Sequence, residues 1–123
     1  MSDVHEVEDR PEIVCICGSA RFADVMRMVN RQLTFAGIIV LAPAEADGPV
    51  TDEQKTVLDA LHLRKIDLAD RVVVVCPDGY LGTSVQREVD YASAAGKSIS
   101  YVGVVRVGEA AHVRRARTPR TAM

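Results

Sequence analysis

The chain has 123 residues, of which 48% are hydrophobic, which is enough for one domain with a packed core. Its net charge of −2 argues against a nucleic-acid binder with a basic surface. Residues 1–11 resemble a flexible, acidic leader rather than a signal peptide, and no segment approaches the ~20 apolar residues of a membrane span. We therefore expect a cytoplasmic protein with neither a membrane nor a nucleic-acid partner.

Apolar runs and helical spacings alternate along the chain. Ser19 is placed to cap the first helix, and Thr51 with Gln54 has the spacing of a capping box. Thr83 with Gln86 repeats that spacing. The predicted order is a leader over 1–11, a strand over 13–17, a helix over 19–35, a strand over 38–41, a loop over 42–50, a helix over 51–69, a strand over 72–76, a helix over 83–95, a strand over 98–105 and a basic tail over 106–123.

This alternation predicts an α/β fold, with one Rossmann-like or flavodoxin-like domain over residues 12–105. The strands are continuously apolar, as in a parallel sheet covered by helices on both faces. Right-handed crossovers favour four to five strands in the order 2-1-3-4(-5). In that order the loops after strands 1 and 3 diverge at their carboxyl ends, where open α/β sheets bind ligands.

Both of these loops carry residues suited to an anion. Gly18 allows close approach of the backbone, Ser19 adds a hydroxyl, and Arg21 adds a permanent charge. Gly82 and Ser84 offer the same chemistry from the facing turn. The alternative for each turn is a loop and a helix cap without a ligand.

Glu88 follows the second turn. At helical spacing from Ser84 and Val85 it borders the apolar face of its helix, and partial desolvation there would raise the affinity of its carboxylate for a proton or a developing cation. The alternative is an ordinary boundary glutamate that faces solvent.

The three cysteines, Cys15, Cys17 and Cys76, all sit inside predicted strands, so we expect buried, reduced thiols. An odd count without a CxxC pair argues against a disulfide framework and against a zinc site. The histidines show no ligand spacing. The sequence thus predicts no metal and no cofactor.

Three segments resemble the nucleoside 2-deoxyribosyltransferase superfamily, nearest its branch of 2′-deoxynucleoside 5′-phosphate N-hydrolases and CMP hydrolases. Residues 14–21 look like the first strand and phosphate turn of that branch, and residues 66–70 with the following valines look like the entry to its third strand. Residues 79–84 followed by Glu88 look like the segment with the nucleophilic glutamate. The resemblance covers residues 13–102.

The resemblance implies that Glu88 is the nucleophile and that Ser19, Arg21 and Ser84 contact a 5′-phosphate. The implied reaction cleaves the N-glycosidic bond of a nucleoside 5′-monophosphate through an oxocarbenium-like state, with water or a second base as acceptor. A homo-oligomer is also implied, because active sites of the superfamily are often completed across a dimer interface.

The chain departs from the family where a second carboxylate is usual. His62 stands at the matching place, with Asp59 one turn earlier. A histidine could protonate a leaving base, but we favour a partly exposed helix residue. Tyr80 either stacks on the ligand or anchors its loop. The candidate site is Glu88 as the catalytic residue, with substrate contacts from Cys17, Gly18, Ser19, Arg21, His62, Tyr80, Gly82 and Ser84.

Two other interpretations remain open. The segment from Pro77 to Thr83 partly matches the motif of LOG-like phosphoribohydrolases, which cleave the same kind of bond. The match lacks a second glycine after Pro77 and a glutamate three residues after Thr83. The other alternative is a non-catalytic nucleotide-binding module, which would keep both turns without needing Glu88 to act.

Overall fold

Strands and helices alternate in the computed structural model, which describes residues 10–107 and 110–116. The elements are β1 (Ile13–Cys17), α1 (Ala23–Phe35), β2 (Ile39–Leu41), α2 (Asp52–Leu68), β3 (Arg71–Val75), α3 (Thr83–Ala94), β4 (Ser98–Val107) and β5 (Ala110–Arg115). Short 3-10 turns precede α1 at Ala20–Phe22 and follow β3 at Pro77–Gly79. None of the helices in these ranges is both long and apolar enough to cross a bilayer.

The five strands form one sheet in the order β2-β1-β3-β4-β5, which confirms the predicted order. The first four are parallel, as the continuous apolar runs indicate. The fifth strand is antiparallel to β4 and pairs with it from Val102 opposite Arg115 to Val107 opposite Ala110.

The fifth strand lies in the segment that the sequence analysis assigns to the basic tail. Val113 packs against the apolar cluster on one face of the sheet, while Arg114 and Arg115 are exposed. A polar segment can serve here because β5 is an edge strand, which needs few buried side chains. Residues 117–123 of the predicted tail and residues 1–9 of the predicted leader lie outside the described residues.

The two capping-box predictions have different outcomes. At α2 the box is present, because Gln54 N donates to Thr51 Oγ1 (3.1 Å) and Thr51 N donates to Gln54 Oε1 (2.9 Å). At α3 the prediction is wrong: Gly82 is the N-cap and Thr83 is already helical. A glycine cap leaves the first N–H groups of α3 without a side-chain acceptor.

Helices cover both faces of the sheet, as predicted. Alternate residues of β1 and β3 face opposite sides, so each strand contributes to two apolar layers. One layer packs beneath α1 and contains Val14, Ile16, Val73 and Val75. The other packs against α2 and α3 and contains Cys15, Cys17, Val72 and Val74. The thiols of β1 therefore face the helices that carry His62 and Glu88.

Candidate active site

A cavity of about 680 Å³ opens at the carboxyl ends of β1 and β3. The loop after β1, the start of α3, one face of α2 and the loop over residues 42–50 form its walls. The predicted site residues in its lining are Gly18, Ser19, His62, Gly82, Ser84 and Glu88. The topology thus brings both predicted turns to one opening.

Glu88 lies on α3 and reaches the cavity from the edge of the apolar layer. Its side chain is 19% exposed, and its Oε1 atom is buried without a hydrogen-bond partner in the described part of the chain. Burial raises the pKa of Glu88, against the opposing effect of His62. The carboxylate is therefore only weakly solvated on the side that faces the imidazole.

His62 is buried, so the prediction of a partly exposed helix residue is wrong. Its Nε2 lies 3.5 Å from Glu88 Oε1 and 3.4 Å from Cys17 Sγ. Burial lowers the pKa of His62, but the Cys15 thiol and the Glu88 carboxylate outweigh it and the net shift is upward. The imidazole and the carboxylate thus form a contact pair at the wall of the cavity.

Cys15 and Cys17 lie below this pair. Both are fully buried, as predicted, and they point to the same side because they are alternate residues of one strand. The two sulfur atoms lie within 4.8 Å of each other, and this proximity lowers the pKa of Cys15 to about 6 and raises that of Cys17 above its usual range. Cys17 therefore contacts the His62 ring and does not line the cavity as predicted.

Arg21 and Tyr80 lie outside the cavity lining. The Arg21 guanidinium stacks over the Tyr80 ring at 5.8 Å and over the Phe22 ring at 5.4 Å. Half of the Tyr80 surface is exposed. These contacts link the loop after β1 to the loop after β3. They hold the guanidinium outside the cavity, away from the hydroxyls of Ser19 and Ser84 that line it.

The far wall contains polar residues that the sequence analysis missed. Arg27 Nη1 donates to Glu45 Oε1 (2.5 Å), and Lys65 Nζ donates to the Ala42 carbonyl (2.7 Å). Asn30, one turn after Arg27, also lines the cavity. The signal was the polar edge of α1, where Arg27 and Asn30 flank the apolar stripe at helical spacing. These contacts tie the loop over residues 42–50 to both helices.

A solved structure with a similar fold is described as a 2-desoxiribosyltransferase from Leishmania mexicana, with a TM-score of 0.58 and 16% sequence identity. The match covers 76% of this chain and 65% of that chain, so this chain spans less than two thirds of its length. At this identity the similarity shows the fold, which agrees with the sheet order and the helices on both faces. No protein-family model and no curated protein matches the sequence.

Proposed function

We propose that the protein cleaves the N-glycosidic bond of a nucleoside 5′-monophosphate, with Glu88 as the nucleophile. The observation that carries the proposal is the position of the Glu88 carboxylate, which lines the cavity while its Oε1 atom is buried against His62. The cavity lies at the position where open α/β sheets bind ligands. The similarity of the fold to a deoxyribosyltransferase supports the same class of chemistry.

In the proposed reaction the bond from C1′ to the base nitrogen breaks as positive charge develops on the sugar. The Glu88 oxygen either stabilises that charge or bonds to C1′, while the base leaves with a proton. Water then attacks C1′, loses a proton, and releases the sugar phosphate with regeneration of the carboxylate. A second base in place of water would make the reaction a transfer.

His62 is the candidate proton donor to the leaving base. It lines the cavity beside Glu88, and its Nδ1 atom has no partner among the described residues. A histidine can supply a proton near neutral pH. Asp59, also in the lining, lies one helical turn away and is held by Lys55 at 2.9 Å. We therefore assign the acid role to His62 rather than Asp59.

The 5′-phosphate is assigned to the two turns. Ser19 and Ser84 offer hydroxyls, and the glycine cap leaves backbone N–H groups at the start of α3 free of side-chain acceptors. Arg21 would reach this place only by leaving its stack on Tyr80. Its phosphate role, like the homo-oligomer that the resemblance implies, stays a prediction.

The test is product analysis with a panel of nucleoside monophosphates, using wild type and Glu88→Gln. We expect the wild type to release free base and sugar phosphate and the variant to lose turnover by a factor on the order of 10³ or more. The variant should keep nucleotide binding, seen as a shift in melting temperature, because the turns are intact. Glu53→Gln, at an exposed position of α2, is the control and should keep full activity.

Two outcomes would contradict the assignment. Equal turnover by wild type and Glu88→Gln would exclude Glu88 as the nucleophile. Nucleotide binding by both proteins with turnover by neither would favour a non-catalytic binding module.

A further inference from the structure

We propose that Cys15, Cys17, His62 and Glu88 form a zinc site beneath the floor of the cavity. The sequence predicts no metal, because the chain has no CxxC pair. The structure supplies what spacing along the chain does not show. It brings β1, α2 and α3 together, and each contributes ligand groups to one point.

The distances from His62 Nε2 to the other three groups fit tetrahedral coordination. His62 Nε2 lies 3.4 Å from Cys17 Sγ, 3.8 Å from Cys15 Sγ and 3.5 Å from Glu88 Oε1. Zinc bonds to sulfur, nitrogen and oxygen at tetrahedral angles separate ligand atoms by about 3.3–3.8 Å. The Cys15, Cys17 and His62 ligand atoms all lie within 4.8 Å of one another. These three groups therefore need little rearrangement to receive an ion, and the Glu88 carboxylate would move towards it as the fourth ligand.

The donor set selects the metal. Two thiolates and an imidazole favour zinc or another thiophilic ion over magnesium or calcium, which prefer oxygen ligands. Both cysteines are fully buried on the same face of β1, and His62 is 5% exposed. Such burial excludes water as a competing ligand on the protein side, while the cavity gives the ion a path of entry past Glu88.

Glu88 completes the site because none of the residues in the ranges 10–107 and 110–116 gives its buried Oε1 a hydrogen bond. A divalent cation would give this oxygen a partner and would balance the charge of the thiolates. The ion would also hold the carboxylate away from a substrate. We therefore expect zinc to inhibit the enzyme reversibly. This consequence rests on the proposed function, whereas the binding of zinc does not.

Metal binding is tested directly by titrating metal-free protein with Co²⁺, whose thiolate complexes absorb strongly. We expect one Co²⁺ per chain, a thiolate-to-cobalt charge-transfer band with the visible bands of tetrahedral cobalt, and displacement by Zn²⁺. Cys15→Ser and Cys17→Ser should each lose most of the band. Cys76→Ser is the matched control, because Cys76 is also buried and free but lies outside the cluster; it should keep the band. An absent band in the wild type, or a full band in Cys17→Ser, would overturn the proposal.

X-ray absorption of the zinc-bound wild type gives a readout that does not depend on variants that fold. We expect two sulfur and two nitrogen or oxygen neighbours around each ion. A shell of nitrogen and oxygen alone would exclude the cysteines. Glu88→Gln should keep the cobalt band but bind at least tenfold more weakly; unchanged affinity would remove Glu88 from the ligand set.

The inhibitory consequence has its own measurement. Zinc should stop base release, and a chelator should restore it. If zinc binds to a protein that releases no base, the proposed function fails and the metal site stands. If base is released but no metal binds, the metal site fails and the proposed function stands.

Discussion

Gly18 follows β1 at the wall of the cavity, and the packing around it leaves little room for a side chain. A Cβ atom built there would lie 2.9 Å from Met26 Sδ and 3.2 Å from Val75 Cβ. The methionine sulfur is the end of a flexible chain, but the Val75 Cβ is fixed by β3. Gly18→Ala should therefore lower the free energy of unfolding by about 1–3 kcal/mol, as overpacking does. Urea denaturation measures the change.

Gly48 provides the control, because a Cβ at that position meets no atom of the described residues within 4 Å and its backbone requires no positive φ. Gly48→Ala should change stability by less than about 0.5 kcal/mol. Equal effects of the two substitutions would show that crowding at Gly18 is relieved by movement of β3.

Single residues also show which parts of the site were predictable. Glu88 and the turn residues Gly18, Ser19, Gly82 and Ser84 could be placed at the cavity because each follows a recognisable buried strand. The position of His62 could not. Its helix carries apolar residues on more than one face, and Val57, Leu61 and Leu68 are largely exposed. Periodicity therefore gave no unique buried face, and the neighbours of His62 depend on how α2 packs.

At the scale of an element, the capping box stabilises the start of α2. The Thr51 hydroxyl accepts from Gln54 N, which has no acceptor within the helix. Thr51→Ala removes this acceptor and should lower the free energy of unfolding by about 1 kcal/mol. Urea denaturation followed by circular dichroism measures the change.

Thr56 of the same helix is the matched control. It is exposed, and its hydroxyl donates to the Asp52 carbonyl four residues earlier, which already lies in the helix. Thr56→Ala should leave stability equal or slightly higher, since alanine has the better helix propensity. A loss equal to that of Thr51→Ala would show that the cap contributes nothing of its own.

The two helices with the same sequence spacing show the limit of prediction for elements. Thr83 and Gln86 repeat the pattern of Thr51 and Gln54, yet the backbone enters α3 one residue earlier, at Gly82. Gly82 adopts the extended conformation of a cap, with φ −76° and ψ 170°. The pattern alone does not decide which residue leaves the helical conformation, because the preceding loop sets the direction of entry.

For the whole molecule, general rules of strand connection predicted more of the sheet than local sequence patterns did. Right-handed crossovers and short connections predict the order of the first four strands, which the structure confirms. The fifth strand, β5, was assigned to the tail because its sequence, with arginines and small residues, is not typical of a strand. Pairing with the long strand β4 supplies the hydrogen bonds that define it.

The overall fold is also held by a contact between segments far apart in sequence. The Asp70 carboxylate, between α2 and β3, accepts from Arg10 Nη2 (2.7 Å) and from the backbone N–H of Ile13 (2.8 Å). In return, Asp70 N donates to the Ile13 carbonyl (2.7 Å). These bonds fasten the start of β1 to the entry of β3.

This contact makes the free energy of unfolding depend on pH in the acidic range. The hydrogen bonds from Arg10 and then Ile13 lower the pKa of Asp70 from 3.8 to about 2. Between those values the unfolded chain binds the proton more readily than the folded chain. The stabilising contribution of the Asp70 carboxylate is therefore complete above pH 4 and is lost as the pH falls towards 2. The free energy of unfolding should decrease over this range.

Asp70→Asn should remove that part of the pH dependence, because the amide does not titrate. The variant should be less stable than the wild type at pH 7, and the difference should shrink as the pH approaches 2. Chemical denaturation at a series of pH values measures both curves. Asp47→Asn, at an exposed loop position, should keep the wild-type slope. A difference between wild type and Asp70→Asn that stays constant down to pH 2 would show that the contact acts through geometry rather than through the charge of the carboxylate.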